Sequence, residues 1–470
     1  MSANVLPLFM ESSITKKIIP IATEYTLGQK INSGSFGTVY KATHKLTKQT
    51  RAVKVIKKHQ AESKEIKNEV NILSKLVHPN IMKIYEIFKD KTNYYIVSEF
   101  YNGGELFEIL EDTSSISQDF IRSIIRQILS AICYAHNNKI CHRDLKPENI
   151  MLEKKRSCES VKIIDWGSGA TIKEGTTMTE VCGTSYYIAP EVVKQSYTEK
   201  CDIWSIGVIF YMLLVGYAPF DGDTDDDIIK SALEGKADFT SEEWKDVDAD
   251  AKNLVKKMLT YNPEKRPSAK ECLKHNYFAK KMNKNDVNSK ISIKVFDRMK
   301  KIRRNLQIEQ SIVNFIVNNY VSKEENEELM KVFKSWDLNA DGVLSREEII
   351  KGYKTAYNSI ANDNEIDQMI KSVDLDGSGT IDYNEFLNFA INQDKILNQQ
   401  HLKMAFKSFD TDNSGKISFA ELENIFKKGN KNWGEKEKNA LNELLKQVDE
   451  NGDGEISFSE FQNVVINYFK

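Results

Sequence analysis

The chain has 470 residues, 40% of them apolar and 29% charged, with a formal net charge of −2; that length suits about three packed domains. No apolar run approaches the roughly 18 residues that span a bilayer, and the first residues lack the charged-then-apolar layout of a signal peptide, so a membrane-spanning or secreted protein is excluded and a cytoplasmic one is expected. The near-neutral total hides two opposed parts: residues 323–470 carry 18 Lys/Arg against 28 Asp/Glu, a net −10, and residues 1–322 carry a net +8, a basic surplus too diluted to suggest a nucleic-acid partner.

The six cysteines all precede residue 273 and show no CxxC spacing, which reads as reduced thiols. Residues 1–24 have no periodicity and are expected to form a mobile arm, and Ser2 stands where N-myristoylation needs glycine. From Tyr25 the pattern turns strand-like. Ile31-Asn32-Ser33-Gly34-Ser35-Phe36-Gly37-Thr38-Val39 reads as a hairpin whose glycines let backbone amides approach a phosphate closely. Ala52-Val53-Lys54 lies on the next strand, and Glu69 opens the helical stripe Val70, Leu73, Leu76. Ile96 to Tyr101 forms another strand carrying Ser98 and Glu99, followed by Gly103-Gly104-Glu105.

The octet His142-Arg143-Asp144-Leu145-Lys146-Pro147-Glu148-Asn149 comes next, then Asp165-Trp166-Gly167, Gly183-Thr184-Ser185-Tyr186-Tyr187 and Ala189-Pro190-Glu191. Together these resemble the eukaryotic protein kinases, and the octet matches their catalytic loop without a substitution. The resemblance implies a bilobal α+β fold over residues 25–278 and phosphoryl transfer from ATP. Asp144 would accept the proton of the attacking hydroxyl, while Lys146 would neutralise charge on the moving group. Asn149 and Asp165 would hold Mg²⁺, and Lys54, fixed by Glu69, would grip the nucleotide phosphates. Residues 31–39, Ser98, Glu99, Tyr101 and Glu105 would line the nucleotide site. Ser98 falls at the gatekeeper position and implies a deep pocket behind the adenine. Asn32 replaces the first loop glycine and Trp166 replaces the usual Phe.

Further expectations follow from the same resemblance. Thr184 suggests Ser/Thr substrates, and Glu105 with Glu148 would favour Arg upstream of the acceptor. Glu180 stands where many kinases carry an activating phosphothreonine, so it would pair with Arg143 without phosphorylation. Asp202 and Arg266 match structural positions, Arg266 pairing with Glu191.

The last third is a fourfold repeat. Twelve-residue loops start at Asp337, Asp374, Asp410 and Asp449, each with oxygen-bearing residues at positions 1, 3 and 5, glycine at 6 and glutamate at 12. That is the EF-hand ligand layout for seven-coordinate Ca²⁺. Counting the position-7 carbonyl, the sets are Asp337, Asn339, Asp341, Val343, Glu348; Asp374, Asp376, Ser378, Thr380, Glu385; Asp410, Asp412, Ser414, Lys416, Glu421; and Asp449, Asn451, Asp453, Glu455, Glu460. Four Ca²⁺ sites in an all-α domain are expected, as one pair over 326–393 and another over 394–470.

The connector, 279–325, is not linker-like. Val295, Met299, Ile302 and Leu306 form a helical apolar stripe among Lys294, Arg298, Lys300, Lys301, Arg303 and Arg304, followed by Ile308, Ile312, Phe315 and Ile316. Such a basic amphipathic helix suits the groove of a Ca²⁺-loaded EF-hand pair. Kinase, basic helix and four EF-hands in this order resemble the calcium-dependent protein kinases of plants and protists. This implies an autoinhibitory junction released by Ca²⁺, protein substrates, and the junction as an internal partner of the EF-hands. A Ca²⁺-responsive pseudokinase scaffold and a constitutive kinase with buffering EF-hands are the alternatives.

Overall fold

The computed structural model describes residues 15–17, 20–34, 37–58, 63–110, 116–173, 175–279, 289–301, 313, 316–317, 323–359, 362–374, 377–392, 397–412, 414–427 and 434–468. The first lobe is a twisted sheet of β1 (Thr15–Lys17), β2 (Tyr25–Gly34), β3 (Gly37–His44), β4 (Thr50–Lys57), β5 (Ile84–Lys89) and β6 (Asn93–Ser98), in the order β1-β5-β6-β4-β3-β2. The arm therefore contributes an edge strand, β1, where mobility was expected. Its backbone runs parallel to β5, pairing Thr15 with Glu86 and Lys17 with Phe88, and so covers an otherwise open sheet edge. The hairpin β2/β3 closes on Gly34 opposite Gly37, and Gly37 has φ +129° with Val55 O 2.4 Å from where a Cβ would stand. Only glycine fits there. Ser35 and Phe36, at its tip, lie outside the described residues.

Helix α1 (Ser63–Leu73) packs behind this sheet, burying Val70, Ile72 and Leu73. The second lobe is built on α2 (Gln118–Asn137) and α3 (Lys200–Val215). Helix α3 is apolar on nearly every face and buried along Cys201–Tyr211, as expected of a helix surrounded by others. One continuous core joins α1, α2, α3 and the short strands Ile150–Leu152 and Val161–Ile163. Arg266 and Glu191 form a buried fork with contacts of 2.5 and 3.1 Å, the pairing expected from sequence.

Helix α4 (Ser289–Lys301) is the described part of the connector. Among the described residues it is followed by eight EF-hand helices: α5 (Lys323–Trp336), α6 (Arg346–Tyr357), α7 (Asp363–Val373), α8 (Tyr383–Ala390), α9 (Gln399–Phe409), α10 (Phe419–Lys427), α11 (Glu435–Val448) and α12 (Phe458–Tyr468). Short antiparallel pairs join the loops two by two, Val343 opposite Asp382 and Lys416 opposite Ser457. Val295, Phe296 and Met299 of α4 are buried in the EF-hand core, where Phe296 stacks on Trp336 at 4.1 Å. Lys300 reaches Glu365 at 2.8 Å. Of the second stripe, Ile316 is buried in the same core; Ile302, Leu306, Ile308, Ile312, Phe315, Arg303 and Arg304 lie outside the described residues.

The first EF-hand rests on the kinase-like lobe. Arg126 Nη2 donates to Leu338 O at 2.9 Å, Lys334 Nζ donates to Gln127 Oε1 at 3.0 Å, and Lys270 lies 3.6 Å from Asp341. Ala340 joins the core of the lobe. His78, buried there, is held well below its ordinary pKa by burial and then by the charges of Lys334 and Lys162; its Nδ1 accepts from the Asn80 amide at 3.0 Å and its Nε2 is hydrogen-bonded to Ser130 Oγ at 3.1 Å.

Candidate active site

The loop 142–149 is held from beneath by Asp202, in the first turn of α3. Its Oδ1 accepts from the Arg143 amide at 2.9 Å, and its Oδ2 accepts from the His142 amide at 2.9 Å and from His136 Nε2 at 2.8 Å. Arg143 takes φ +69°, an unfavourable backbone state for a residue with a Cβ, which these bonds sustain. Asp144 is thereby presented to the cleft. Thr184 Oγ1 donates to Asp144 Oδ1 at 2.9 Å, Lys146 Nζ donates to Thr184 Oγ1 at 3.0 Å, and Lys146 Nζ lies 3.3 Å from Asp144 Oδ2. A carboxylate accepting a hydroxyl proton beside an ammonium is the arrangement that a general base for an alcohol requires. Asn149 Nδ2 donates to Asp144 O at 2.9 Å, so its amide oxygen is the atom left to face a cation.

Across the cleft, Lys54 on β4 lies 3.6 Å from Glu69 on α1. Burial disfavours the Lys54 charge, yet Glu69 and Asp165 more than offset it and keep the ammonium above its ordinary pKa. Asp165 adopts φ +58°. Trp166 beside it is fully buried and meets His142 edge-on at 4.6 Å between centroids, so the larger aromatic is accommodated in the core. The side chains that follow β6 are engaged with one another: Glu99 accepts from the Tyr101 hydroxyl and from Lys162 Nζ at 3.1 Å. Glu99 and Tyr101 therefore leave only main-chain groups for a nucleotide base. Ser98 is buried at the end of β6, opposite Ala52.

Arg143 Nη1 donates to Glu180 Oε2 at 2.9 Å and to the Tyr197 hydroxyl at 3.2 Å, and Tyr197 donates to Glu180 O at 2.6 Å. The expected Glu180 pairing is present. Glu148 Oε2 is buried with no hydrogen-bond partner; burial and then the Glu148 and Glu108 charges raise the pKa of nearby Glu105.

In each EF loop the glycine at position 6 donates its amide to the first aspartate: Gly342 to Asp337 at 3.1 Å, Gly379 to Asp374 at 2.9 Å, Gly415 to Asp410 at 2.9 Å and Gly454 to Asp449 at 2.7 Å. All four glycines have φ between +79° and +86°. The closing glutamates are aimed inward by loop amides, as where Glu348 Oε1 accepts from Leu338 and Asn339. These loops fit a divalent cation. Asp337 Oδ1 is buried without a protein partner, and Asp410, Asp412 and Glu421 bring carboxylate oxygens within 4.8 Å of one another. Asp376 lies outside the described residues.

Two groups of residues in the site region escaped sequence reading. Asn68, next to Glu69, donates from Nδ2 to Gly167 O at 3.1 Å and to Gly169 O at 2.9 Å; a polar residue one turn before Ile72 on a packed helix was its only signal. Arg126 and Lys270, which meet the first EF loop, lie in no motif.

A lysine paired with a helical glutamate, and a hydroxyl set on an aspartate beside a second lysine, between a sheet lobe and a helical lobe, define a protein kinase, here joined to EF-hand pairs. The protein kinase domain family matches residues 25–278, and the EF-hand domain pair family matches residues 326–391 and 399–466. The chain is 37% identical over 393 residues to calcium-dependent protein kinase 5 of Plasmodium berghei (strain Anka), covering 82% of this chain and 69% of that protein. It is 39% identical over 385 residues to calcium-dependent protein kinase 4 of Plasmodium falciparum (isolate 3D7), with 78% and 73% covered. Against calcium-dependent protein kinase 3 of Plasmodium berghei (strain Anka) it is 36% identical over 429 residues, with 90% and 77% covered. The chain belongs to the calcium-dependent protein kinases. It is a Ca²⁺-activated protein serine/threonine kinase that uses ATP and Mg²⁺ on protein substrates, and the pseudokinase alternative is not favoured. No helix among the described residues is long and apolar enough to cross a membrane.

Proposed function

We propose the following division of labour for this kinase. Residues 25–278 perform the transfer, 279–325 inhibit it at low Ca²⁺, 326–393 and 394–470 sense the ion, and residues 1–24 form an arm. Asp144 takes the proton of the substrate hydroxyl, and Lys146 stands by to stabilise negative charge on the transferred group. Lys54, fixed by Glu69, and the backbone of residues 31–39 hold the nucleotide phosphates. Asn149 and Asp165 would hold Mg²⁺, which when bound spreads the phosphate charge. The observation that carries this reading is the Thr184 hydroxyl on Asp144 with Lys146 against both: an alcohol already sits on the base.

Glu105 and the unpartnered buried Glu148 oxygen favour a substrate arginine upstream of the acceptor, since a guanidinium would satisfy both. Four EF-hands bind Ca²⁺ at the residues assigned above, and the basic helix Ser289–Lys301 is their internal ligand. Its apolar face lies in the EF-hand core. Moving a population from about 1% to 99% active takes about 5.5 kcal/mol. Four ions, each preferring the active state tenfold at about 1.4 kcal/mol, are enough.

The test is phosphorylation of an Arg-containing Ser peptide in chelator and in micromolar Ca²⁺. Rates should rise at least tenfold with Ca²⁺ and vanish in Asp144→Asn. Equal rates in both media would favour EF-hands that only buffer the ion.

A further inference from the structure

Helix α1 presents two adjoining stripes to the site. Glu69 and Leu73 face Lys54 and the core, whereas Asn68 and Ile72, four residues apart and so on one face, lie against the chain that follows Asp165. Asn68 spends both amide hydrogens on the carbonyls of Gly167 and Gly169. The contact is close: a Cβ on Gly169 would lie 2.7 Å from Ile72 Cδ1. The segment gripped in this way is the one that must keep Asp165 at φ +58°, a state that relaxes unless its surroundings enforce it.

We propose that Asn68 is a positioning residue that makes the helix carrying Glu69 and the metal motif carrying Asp165 move as one unit. Because Glu69 precedes Leu73 on one stripe while Asn68 precedes Ile72 on the next, rotation of α1 that breaks Lys54–Glu69 also strips two hydrogen bonds from residues 167–169. The two half-sites therefore close together. The inference rests on Asp165 as the metal-holding residue proposed above.

Two substitutions test it. Asn68→Asp keeps the shape but turns an oxygen toward two carbonyl oxygens, and Asn68→Leu keeps the volume without a donor; if the first does not fold, the second carries the test. At saturating Ca²⁺ both should keep the wild-type melting temperature and a KM for ATP within about twofold, while kcat falls roughly ten- to a hundredfold, the scale of a misplacement of about 1 Å. The free Mg²⁺ needed for half-maximal rate should rise several-fold, a readout that a purely structural residue would not move. Wild-type kcat in either variant, or a loss of kcat that tracks melting temperature with unchanged Mg²⁺ dependence, overturns the proposal. Asp165→Asn is the control for the reading beneath it: activity retained there removes the metal assignment itself, whereas activity lost there with an inert Asn68 removes only the coupling.

Discussion

Glu180 offers a test of whether one side chain can replace a regulatory reaction. Its side chain is largely exposed, and an exposed ion pair is ordinarily worth under about 1 kcal/mol. Here the partner is 9% exposed, and Arg143 Nε also donates to Ser168 O at 2.6 Å, so the guanidinium is fixed before Glu180 reaches it. Protein made in a host without protein kinases should therefore be active with no phosphate on Thr177 or Thr179. Glu180→Ala should lower kcat about three- to tenfold, equivalent to roughly 1 kcal/mol, with Glu180→Gln between, as measured by peptide phosphorylation at saturating Ca²⁺. Residues such as Lys54, Asp144, Asp165 and Glu180 were legible in the sequence because each sits in a short motif at fixed spacing. Asn68 was not, because its partners are 99 and 101 residues away and no local pattern encodes them.

At the scale of elements, helix α4 departs instructively from its sequence pattern. The stripe Val295 and Met299 is buried as expected, but Phe296, outside that stripe, is equally buried and packs against Trp336 at 4.1 Å and Tyr353 at 5.2 Å. A helix lying among several others buries a wider arc than one seated on a flat surface. Removing this ring should cost about 3–5 kcal/mol of docking. Phe296→Ala should therefore shift the Ca²⁺ midpoint of activation upward several-fold or more, whereas Lys300→Ala, removing a half-exposed pair with Glu365, should shift it little. A Ca²⁺ titration of kinase activity compares the two. The EF loops were legible for the opposite reason: each is a complete twelve-residue unit whose ligands, glycine and closing glutamate are all local.

At the scale of the whole molecule, the first hand is set against the kinase. Gly342 and Gly454 occupy the same loop position with nearly the same backbone, φ +85° and +82°, yet a Cβ on Gly342 would lie 2.8 Å from His78 Cδ2 while one on Gly454 would meet nothing within 4 Å. Alanine at either position carries a left-handed backbone penalty of about 1 kcal/mol; only Gly342→Ala should also push the two bodies apart. The difference between the two variants in melting temperature at saturating Ca²⁺ isolates the docking contribution, and Gly342→Ala should be the less stable. This apposition could not be read in advance, since Arg126 meets the loop across 212 positions of sequence, and His78 and Lys270 reach it from two further unrelated segments. It also bears on timing. A loop walled by two bodies exchanges its contents only as fast as the bodies separate, whereas a loop open to solvent is limited by its own ligands. Among the sensors of this enzyme, the first would forget last, and the length of a response would be set by how long two surfaces cling together after the pulse that joined them has faded.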